Sequence, residues 1–497
     1  MSMPDDKNPA DSLNQLPLPD TRPRGLLRSF GPGMLLMMTG IGTSHLVTAP
    51  AAGGRFEYAL LWCIPVAYIF KYYGFEMAFR FTNATGRSML DAYSTAPSKW
   101  PLWYVLVTTI IQAAVGQAGR LIAASAVCFA FANIYFGVDL AVEYWGFILG
   151  IAAVTFILVG RYQVMESVTK VLAGLLFVST VGVYFVEPAP LSALASFVRI
   201  EIPGGSWLVI AAFLGLLPTG MDVSLQASEW GKAKKVGMGR IRDQLEQMGM
   251  APKFDPQTSP KEDLAVDTDA LPAHAREYCY RWFRIGELDF GFGHIVSFII
   301  ACIFLLLAAV WMYPSDVSGT DVFADIGGIF YESVGPAMMI VFFVGAFAAT
   351  FSTAFNYFDG WPRVVGACCR NLFRKTADLR GIGRDELTSE HRRRWYSEFN
   401  IYRITMLYSL VASIAIVAGL PRPVFLVLVS AALALFIAPV IFFLNVYYCV
   451  TVIPKTDKVF YPSPAVRGFA WFSLVVFSAL TAIVIMARVF GITLFGG

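Results

Sequence analysis

The sequence is poor in charge. Only 15% of its 497 residues are Asp, Glu, Lys or Arg, against 57% hydrophobic and 15% aromatic, and the mean hydropathy is +0.60. Soluble domains carry about a quarter of charged residues, so this scarcity excludes two ordinary soluble domains and leaves a polytopic membrane protein whose partner is the lipid bilayer. Lys+Arg 38 nearly balance Asp+Glu 35, for a net charge of +3. No basic tract is present, which leaves nucleic acid out as a partner. With 4 histidines in all, there is little from which to build a metallohydrolase, so the chain reads as neither an enzyme nor the holder of a cofactor. The cysteines, Cys63, Cys128, Cys279, Cys302, Cys368, Cys369 and Cys449, lie in apolar segments or beside basic loops. They show no paired extracellular spacing and no Cys-x-x-Cys, which argues against a disulfide framework and a structural zinc site.

Long apolar runs are what the chain has in quantity. A bilayer core needs about 20 apolar residues per helix. About eleven runs meet that length, near 31–53, 58–82, 101–132, 141–160, 169–186, 207–228, 289–312, 336–358, 401–419, 423–449 and 465–492. Residues 1–29 are polar and proline-bearing, with Arg22, Arg24 and Arg28 before the first run and no signal-like core, and read as a cytoplasmic tail without a cleaved signal peptide. The chain thus divides into that tail, spans one to six (30–228), a loop (229–288), spans seven and eight (289–361), an Arg-rich loop (362–400) and spans nine to eleven (401–497). Lys and Arg fall on alternate loops, at Arg87 and Lys99, Arg161, Lys232 to Lys235, Arg363 to Arg394, and Lys455 with Lys458, whereas 313–335 holds only the acids Asp316, Asp321, Asp325 and Glu332. The positive-inside rule therefore predicts a plasma-membrane protein with its N-terminus in the cytoplasm and its C-terminus outside. Both long loops read as solvated and partly ordered, with one short amphipathic helix around Arg240 to Met250 and, as the alternative, a regulatory or partner surface.

Two spans are interrupted. The first carries Thr39 to Thr48, a run of glycines, hydroxyls and one histidine, and Gly42 lies roughly 18 Å from the start of the span, near the midplane. The sixth places Pro218 and Gly220 at similar depth, followed by Asp222, Ser224 and Gln226. Proline removes a backbone donor and glycine permits unwinding. Unwound backbone is tolerated at that depth only where it is buried in protein or lines a wet cavity. Breaks in the first and sixth of the spans, in opposite orientation, predict a five-plus-five inverted repeat with a site between them. Two proline-kinked packing helices are the bland alternative.

At these residues the sequence resembles the Nramp family of divalent metal transporters, which have the LeuT-type fold. The match runs from Gly31-Pro-Gly33 through Gly53-Gly-Arg55, Tyr58 and Leu60-Leu-Trp62 to Glu76, Arg80 and Thr85-Gly-Arg87. It resumes at Gly160-Arg-Tyr162 with Glu166, at Pro218, and at Ser430 with Pro439. The resemblance implies an all-α membrane protein of about eleven helices with broken first and sixth helices. The departures fall on the chemistry. Where the family has Asp-Pro-Gly-Asn in the first helix this chain has Gly42-Thr43-Ser44-His45, its Met-Pro-His in the sixth aligns with Leu217-Pro218-Thr219, and a tenth-helix glutamine falls at Ala431. The hard oxygens and soft thioether that suit transition metals are thus replaced. Gly42, Thr43, Ser44, His45, Leu217, Thr219, Asp222 and Arg120 become the candidate substrate residues, with His45 and Asp222 as the candidate metal ligands.

Intramembrane ionisable residues mark pathways or internal pairs. His45 has either a substrate or proton role or a structural, hydrogen-bonded one. Arg120, roughly 30 Å along the third span from Trp100, either pairs with Asp222 or faces an anionic substrate. Glu76 and Arg80 read first as an intrahelical pair and second as part of a proton path. By resemblance alone, Thr350, Ser352 and Thr353 are candidates for a coupling ion, with helix-packing hydroxyls as the alternative. Asp289 and His294 read as solvated or capping groups at the loop boundary. The expected function is secondary active transport of a divalent metal cation, coupled to protons, by alternating access between the first and sixth helices. The alternative keeps the fold and carries a small organic solute, an anion fitting Arg120. A non-transporting membrane sensor using the two loops ranks last.

Overall fold

A computed structural model describes residues 13–20, 22, 42–159, 162–315, 319, 321–382 and 387–491. Most of the N-terminal tail, the Gly31 to Ile41 half of the first span, Gly160, Arg161 and Asp316 lie outside the described residues, as does the side chain of Glu166. Among the described residues every regular element is a helix, as lipid requires of a chain whose backbone must bond within itself.

Each expected span has its helix. The first continues from a π-turn, Ser44–Thr48, into Ala49–Phe56; the second is Cys63–Thr85. The third runs Trp100–Ile111, a π-turn Gln112–Gly116, and Gln117–Phe136. The fourth and fifth are Val142–Val159 and Tyr162–Tyr184. The sixth is split into Trp207–Leu216 and Val223–Ala233. The seventh to eleventh are Ala273–Trp311, Pro336–Leu372, Glu398–Gly419, Pro423–Val452 and Pro464–Val489. Seven of the described helices are long and apolar enough to cross a bilayer unaided. The second is not among them because it carries Lys71, Glu76 and Arg80, and the sixth is not because it is broken.

Hydropathy marks where a helix is apolar, not where it ends, and the boundaries shift accordingly. The seventh helix starts at Ala273 instead of near 289, and the eighth continues to Leu372, past 358. Asp289 and His294 consequently sit inside a helix and are buried, not solvated or capping. The 229–288 loop is better ordered than expected. Its predicted short helix forms at Arg242–Gln247, and Met238, Ile241, Leu245, Leu264 and Val266, in and around it, are buried. Arg242 organises the loop by donating to the carbonyls of Leu264 at 2.8 Å, Asp263 at 3.0 Å and Pro252 at 3.1 Å, and to that of Thr85 at the end of the second span.

Close backbone approach fixes the helices around the two breaks. A Cβ on Gly53 would collide with the carbonyl oxygen of Leu305 and come within 2.9 Å of the amide nitrogen of Ala309, so the first and seventh helices touch backbone to backbone. Small residues permit this kind of contact in membranes, where lipid gives no apolar drive for helices to associate. Gly53→Ala is expected to cost about 1–3 kcal/mol through overpacking. Gly182→Ala, where nothing lies within 4 Å, is expected to be neutral or slightly stabilising. Thermal unfolding of both variants in the same detergent checks the contrast.

Candidate functional site

The sixth helix breaks for a local reason. Proline disfavours helical geometry in the residue before it, and Leu217 is extended, with φ −90 and ψ 133, directly before Pro218. The last carbonyls of Trp207–Leu216 are left without helical partners. A lysine from the second helix satisfies this region. Lys71 is fully buried, and its Nζ donates to the carbonyl oxygens of Gly215 at 2.9 Å, Leu217 at 2.7 Å and Thr219 at 2.7 Å. The rings of Phe75 and Phe477 face the same ammonium, each at 5.9 Å. Sequence reasoning missed Lys71. The signal was present, because one cation within an otherwise apolar run is expensive in a bilayer.

Asp222 begins the second half of the sixth helix. Its Oδ2 accepts from Trp361 Nε1 at 3.1 Å and Gln226 Nε2 at 3.4 Å, and it lies within electrostatic reach of Arg120 and Lys71. The Arg120 guanidinium stacks 3.6 Å from the Tyr357 ring centre and 4.9 Å from that of Trp361, a geometry that suits its planar, weakly hydrated cation. It donates to Gly116 O at 2.7 Å, at the end of the third-helix π-turn. π-turns inside helices often occur at functional sites. Around this one polar groups are left over: Arg120 Nε and both amide atoms of Gln112 are buried without a hydrogen-bond partner. Thr219 Oγ1 lies 3.2 Å from Tyr357 Oη. The sixth-helix break, the third-helix π-turn and the aromatic face of the eighth helix therefore meet in one region, and Trp361, Tyr357 and Gln112 join it although the sequence did not single them out.

His45 makes its hydrogen bonds elsewhere. It is fully buried; Nδ1 lies 3.0 Å from Ser44 Oγ, and Nε2 lies 2.9 Å from both Tyr68 Oη and Ser297 Oγ, which are 2.7 Å from each other. These partners are neutral hydroxyls of the first, second and seventh helices, while those of Asp222 are an indole and an amide. No group of three or more His, Cys, Asp and Glu placed to hold a metal ion is found among the described residues. Around Asp222 the donors at the sixth-helix break are oxygens, from its carboxylate, Thr219 and backbone carbonyls; Leu217 supplies no thioether, and that of Met221 packs against Gly74 of the second helix.

The remaining candidates are placed as follows. Gly42 packs its backbone on Thr353 of the eighth helix, since a Cβ there would strike Thr353 Oγ1. Thr43 is buried beside it in sequence. Thr350 donates to Ala346 O at 2.7 Å, Ser352 to Ala349 O at 3.1 Å, and Thr353 to Ala349 O at 2.7 Å, the back-bonding expected of helix-packing hydroxyls. Arg80 makes the intrahelical pair with Glu76 at 2.6 Å, reaches Glu287 of the seventh helix at 2.7 Å, and donates to the carbonyls of Val459 and Phe460.

On the face that carries the long loops, a cavity of about 920 Å³ is lined by Arg87, Asp91, Glu229, Lys232, Arg242 and Arg370, among others. Burial alone would raise the Asp91 carboxyl, but Lys232, Arg370 and Arg87 together hold it well below the usual carboxylate range.

Comparison with known proteins fits this architecture. The family model described as "Natural resistance-associated macrophage protein-like" matches residues 33–487. An uncharacterized protein of Pasteurella multocida is 21% identical over 345 residues, which cover 67% of this chain and 69% of that protein. Among solved structures, a manganese transporter of Eremococcus coleocola, in a mutant form, is 13% identical with a TM-score of 0.62, covering 96% of this chain and 91% of that one. MHP1, a nucleobase-cation-symport-1 family transporter, is 12% identical with a TM-score of 0.52, covering 92% and 93%. At these identities the structural likeness speaks for the fold, and it is the expected one: the LeuT-type architecture with its inverted repeat and broken first and sixth helices.

Proposed function

The chain belongs to the Nramp family, and from that membership and its two broken helices we propose that it is a secondary active transporter. Its cargo passes by alternating access between the first and sixth spans. The observation that carries this reading is the meeting, deep in the bundle, of unwound sixth-helix backbone with the buried polar groups of Asp222, Arg120, Gln112 and Thr219. The loop-bearing face is cytoplasmic on this reading, by the distribution of Lys and Arg.

Family membership supports a divalent metal ion as cargo, carried together with protons. The donor chemistry narrows the class. With Gly42 and Leu217 at the positions of a carboxylate and a thioether, the donors left are oxygens, which suit a hard cation that keeps part of its water. Asp222 is the carboxylate on this route, Gly42, Thr43 and Ser44 line it from the first helix, and His45 orders the first helix through its hydroxyl partners.

A second reading, a small organic anion, is favoured by the two buried cations. Lys71 already occupies the sixth-helix carbonyls, and Arg120 with Gln112 offers unspent donors of the kind that bind carboxylates.

The test is uptake into proteoliposomes of manganese, magnesium and a panel of small carboxylates and amines. The expected result is saturable uptake of magnesium or manganese that Asp222→Ala abolishes and that an inward proton gradient drives. Metal uptake unchanged in both His45→Ala and Asp222→Ala would remove these residues from the route. Uptake of a carboxylate instead, lost in Arg120→Gln, would establish the second reading.

A further inference from the structure

The contacts of Lys71 reach beyond the question of cargo. An ammonium has three N–H donors and no acceptor. Here the three oxygens within 2.7–2.9 Å of Nζ are main-chain carbonyls, those of Gly215, Leu217 and Thr219. They come from alternate residues of a stretch whose pivot, Leu217, is extended, which turns every second carbonyl to one side, as in a strand. They also stand at the C-terminal end of the half-helix Trp207–Leu216, where the helix dipole places partial negative charge. Pro218 has no N–H to return to the preceding turn, so carbonyls there are left to other donors. Two phenylalanine faces complete the surroundings at 5.9 Å, and a ring face attracts a cation. Carbonyl oxygens, a helix C-terminus and aromatic faces together are a cation-binding arrangement, and Lys71 reaches it from a different helix while 0% exposed.

We propose that the sixth-helix break is a monovalent-cation site of ammonium size, filled by the chain's own Lys71 as a tethered ion. The side chain does what a bound soluble cation would do: it neutralises the converging carbonyls and holds the unwound stretch in one conformation. The break therefore needs no soluble ion to stay ordered, and these carbonyls are not open to the cargo while Lys71 is seated. The inference holds for either cargo.

Hydrogen–deuterium exchange in lipid nanodiscs tests it without a transport assay, so its failure and the failure of the transport reading are separate results. Lys71→Met keeps the length and apolar packing of the side chain and removes only the charge and its donors. Its amides over 217–224 are expected to exchange at least about tenfold faster than in the wild type, with the rest of the second helix unchanged. Lys71→Ala is expected to show the same rise and, having space where the stem was, to return toward wild-type exchange on addition of ammonium, methylammonium or ethylammonium. Tetramethylammonium, which has no N–H to give, is expected to have no effect. Wild-type exchange in Lys71→Met would overturn the proposal, and it decides the matter even if the alanine variant does not fold. So would a Lys71→Ala break that no primary ammonium re-orders, or one that tetramethylammonium re-orders equally well.

Discussion

Replacing Arg370 with methionine is expected to lower stability by about 3–5 kcal/mol, the usual result of removing one partner from a buried ionic cluster. Arg370 ends the eighth helix at a junction of four elements. It pairs with Glu398 at the start of the ninth helix, with Glu229 of the sixth at 3.3 Å, and with Asp91 of the short helix Met89–Tyr93 at 3.6 Å. Lys232 meets the other oxygen of Asp91 at 2.6 Å. The side chains of Arg370, Glu398, Glu229 and Asp91 are 12%, 3%, 7% and 3% exposed, so they are largely shielded although they border the cavity. Three carboxylates would then face one another with less positive charge among them. Methionine fills similar space, which confines the loss to charge.

The effect has a pH signature whose sign follows from Asp91. Its folded-state value is depressed by Lys232, Arg370 and Arg87 against the opposing effect of burial, while its unfolded value is about 3.9. A depressed carboxylate contributes stability that is fully present above the unfolded value and is lost as pH falls through the folded one. Acid unfolding of the wild type is therefore expected to involve Asp91 only below the ordinary carboxylate range. In Arg370→Met the depression is smaller, so less of that stability is there to be lost in acid, and thermal unfolding from pH 7 down to pH 3 in nanodiscs should show the two curves furthest apart at pH 7 and drawing together below about 3.9. A gap that stays constant from pH 7 to pH 3 would show that the variant acts through packing. The cluster also ties the short helix Met89–Tyr93 and the end of the sixth helix to the eighth and ninth. A transporter that alternates between two openings must part such ties on one side, so the same variant is expected to bias the protein toward opening at this face.

What the sequence disclosed and what it hid follow from one distinction. The bilayer imposes its demand on continuous stretches of chain, so every span could be read from its own residues. The breaks could too, because glycines, hydroxyls and Pro218 at mid-depth contradict a plain helix locally. Partnerships could not. Lys71 stands in one apolar run and its carbonyl acceptors in another, 144–148 residues on, and a backbone carbonyl leaves no mark in a sequence. His45 stands in the π-turn of the first helix, and its bonds to Tyr68 and Ser297 engage residue types too common in such helices to stand out. Asp289 and His294 depart from expectation because hydropathy falls near 289 while the helix does not end there. The helix continues outward for about four more turns, to Ala273, and Arg80 ties it to the second helix through Glu287.

Neutralising Asp222 is expected to be the other costly change, and its coupling to Arg120 decides what the arginine is for. Asp222→Asn keeps the shape, and its amide oxygen can still accept from Trp361, so the loss is chiefly that of charge. With Arg120 and Lys71 both within electrostatic reach and all three side chains buried, a loss of about 3 kcal/mol or more is expected, as for an uncompensated buried cation. Arg120→Gln alone should cost less, because it removes a guanidinium whose Nε has no partner while leaving Lys71 to face Asp222. If the arginine is held in place by Asp222, the double variant should be more stable than the two single losses would sum to, by at least about 1 kcal/mol. Denaturant unfolding of the four proteins in one detergent measures that coupling. Additive losses would mean that Asp222 does not balance Arg120. The guanidinium, stacked on Tyr357 and Trp361 beside the unpaired amide of Gln112, would then carry a charge answered by nothing in the fold nearby. In that case an anionic cargo becomes the reading that the electrostatics require.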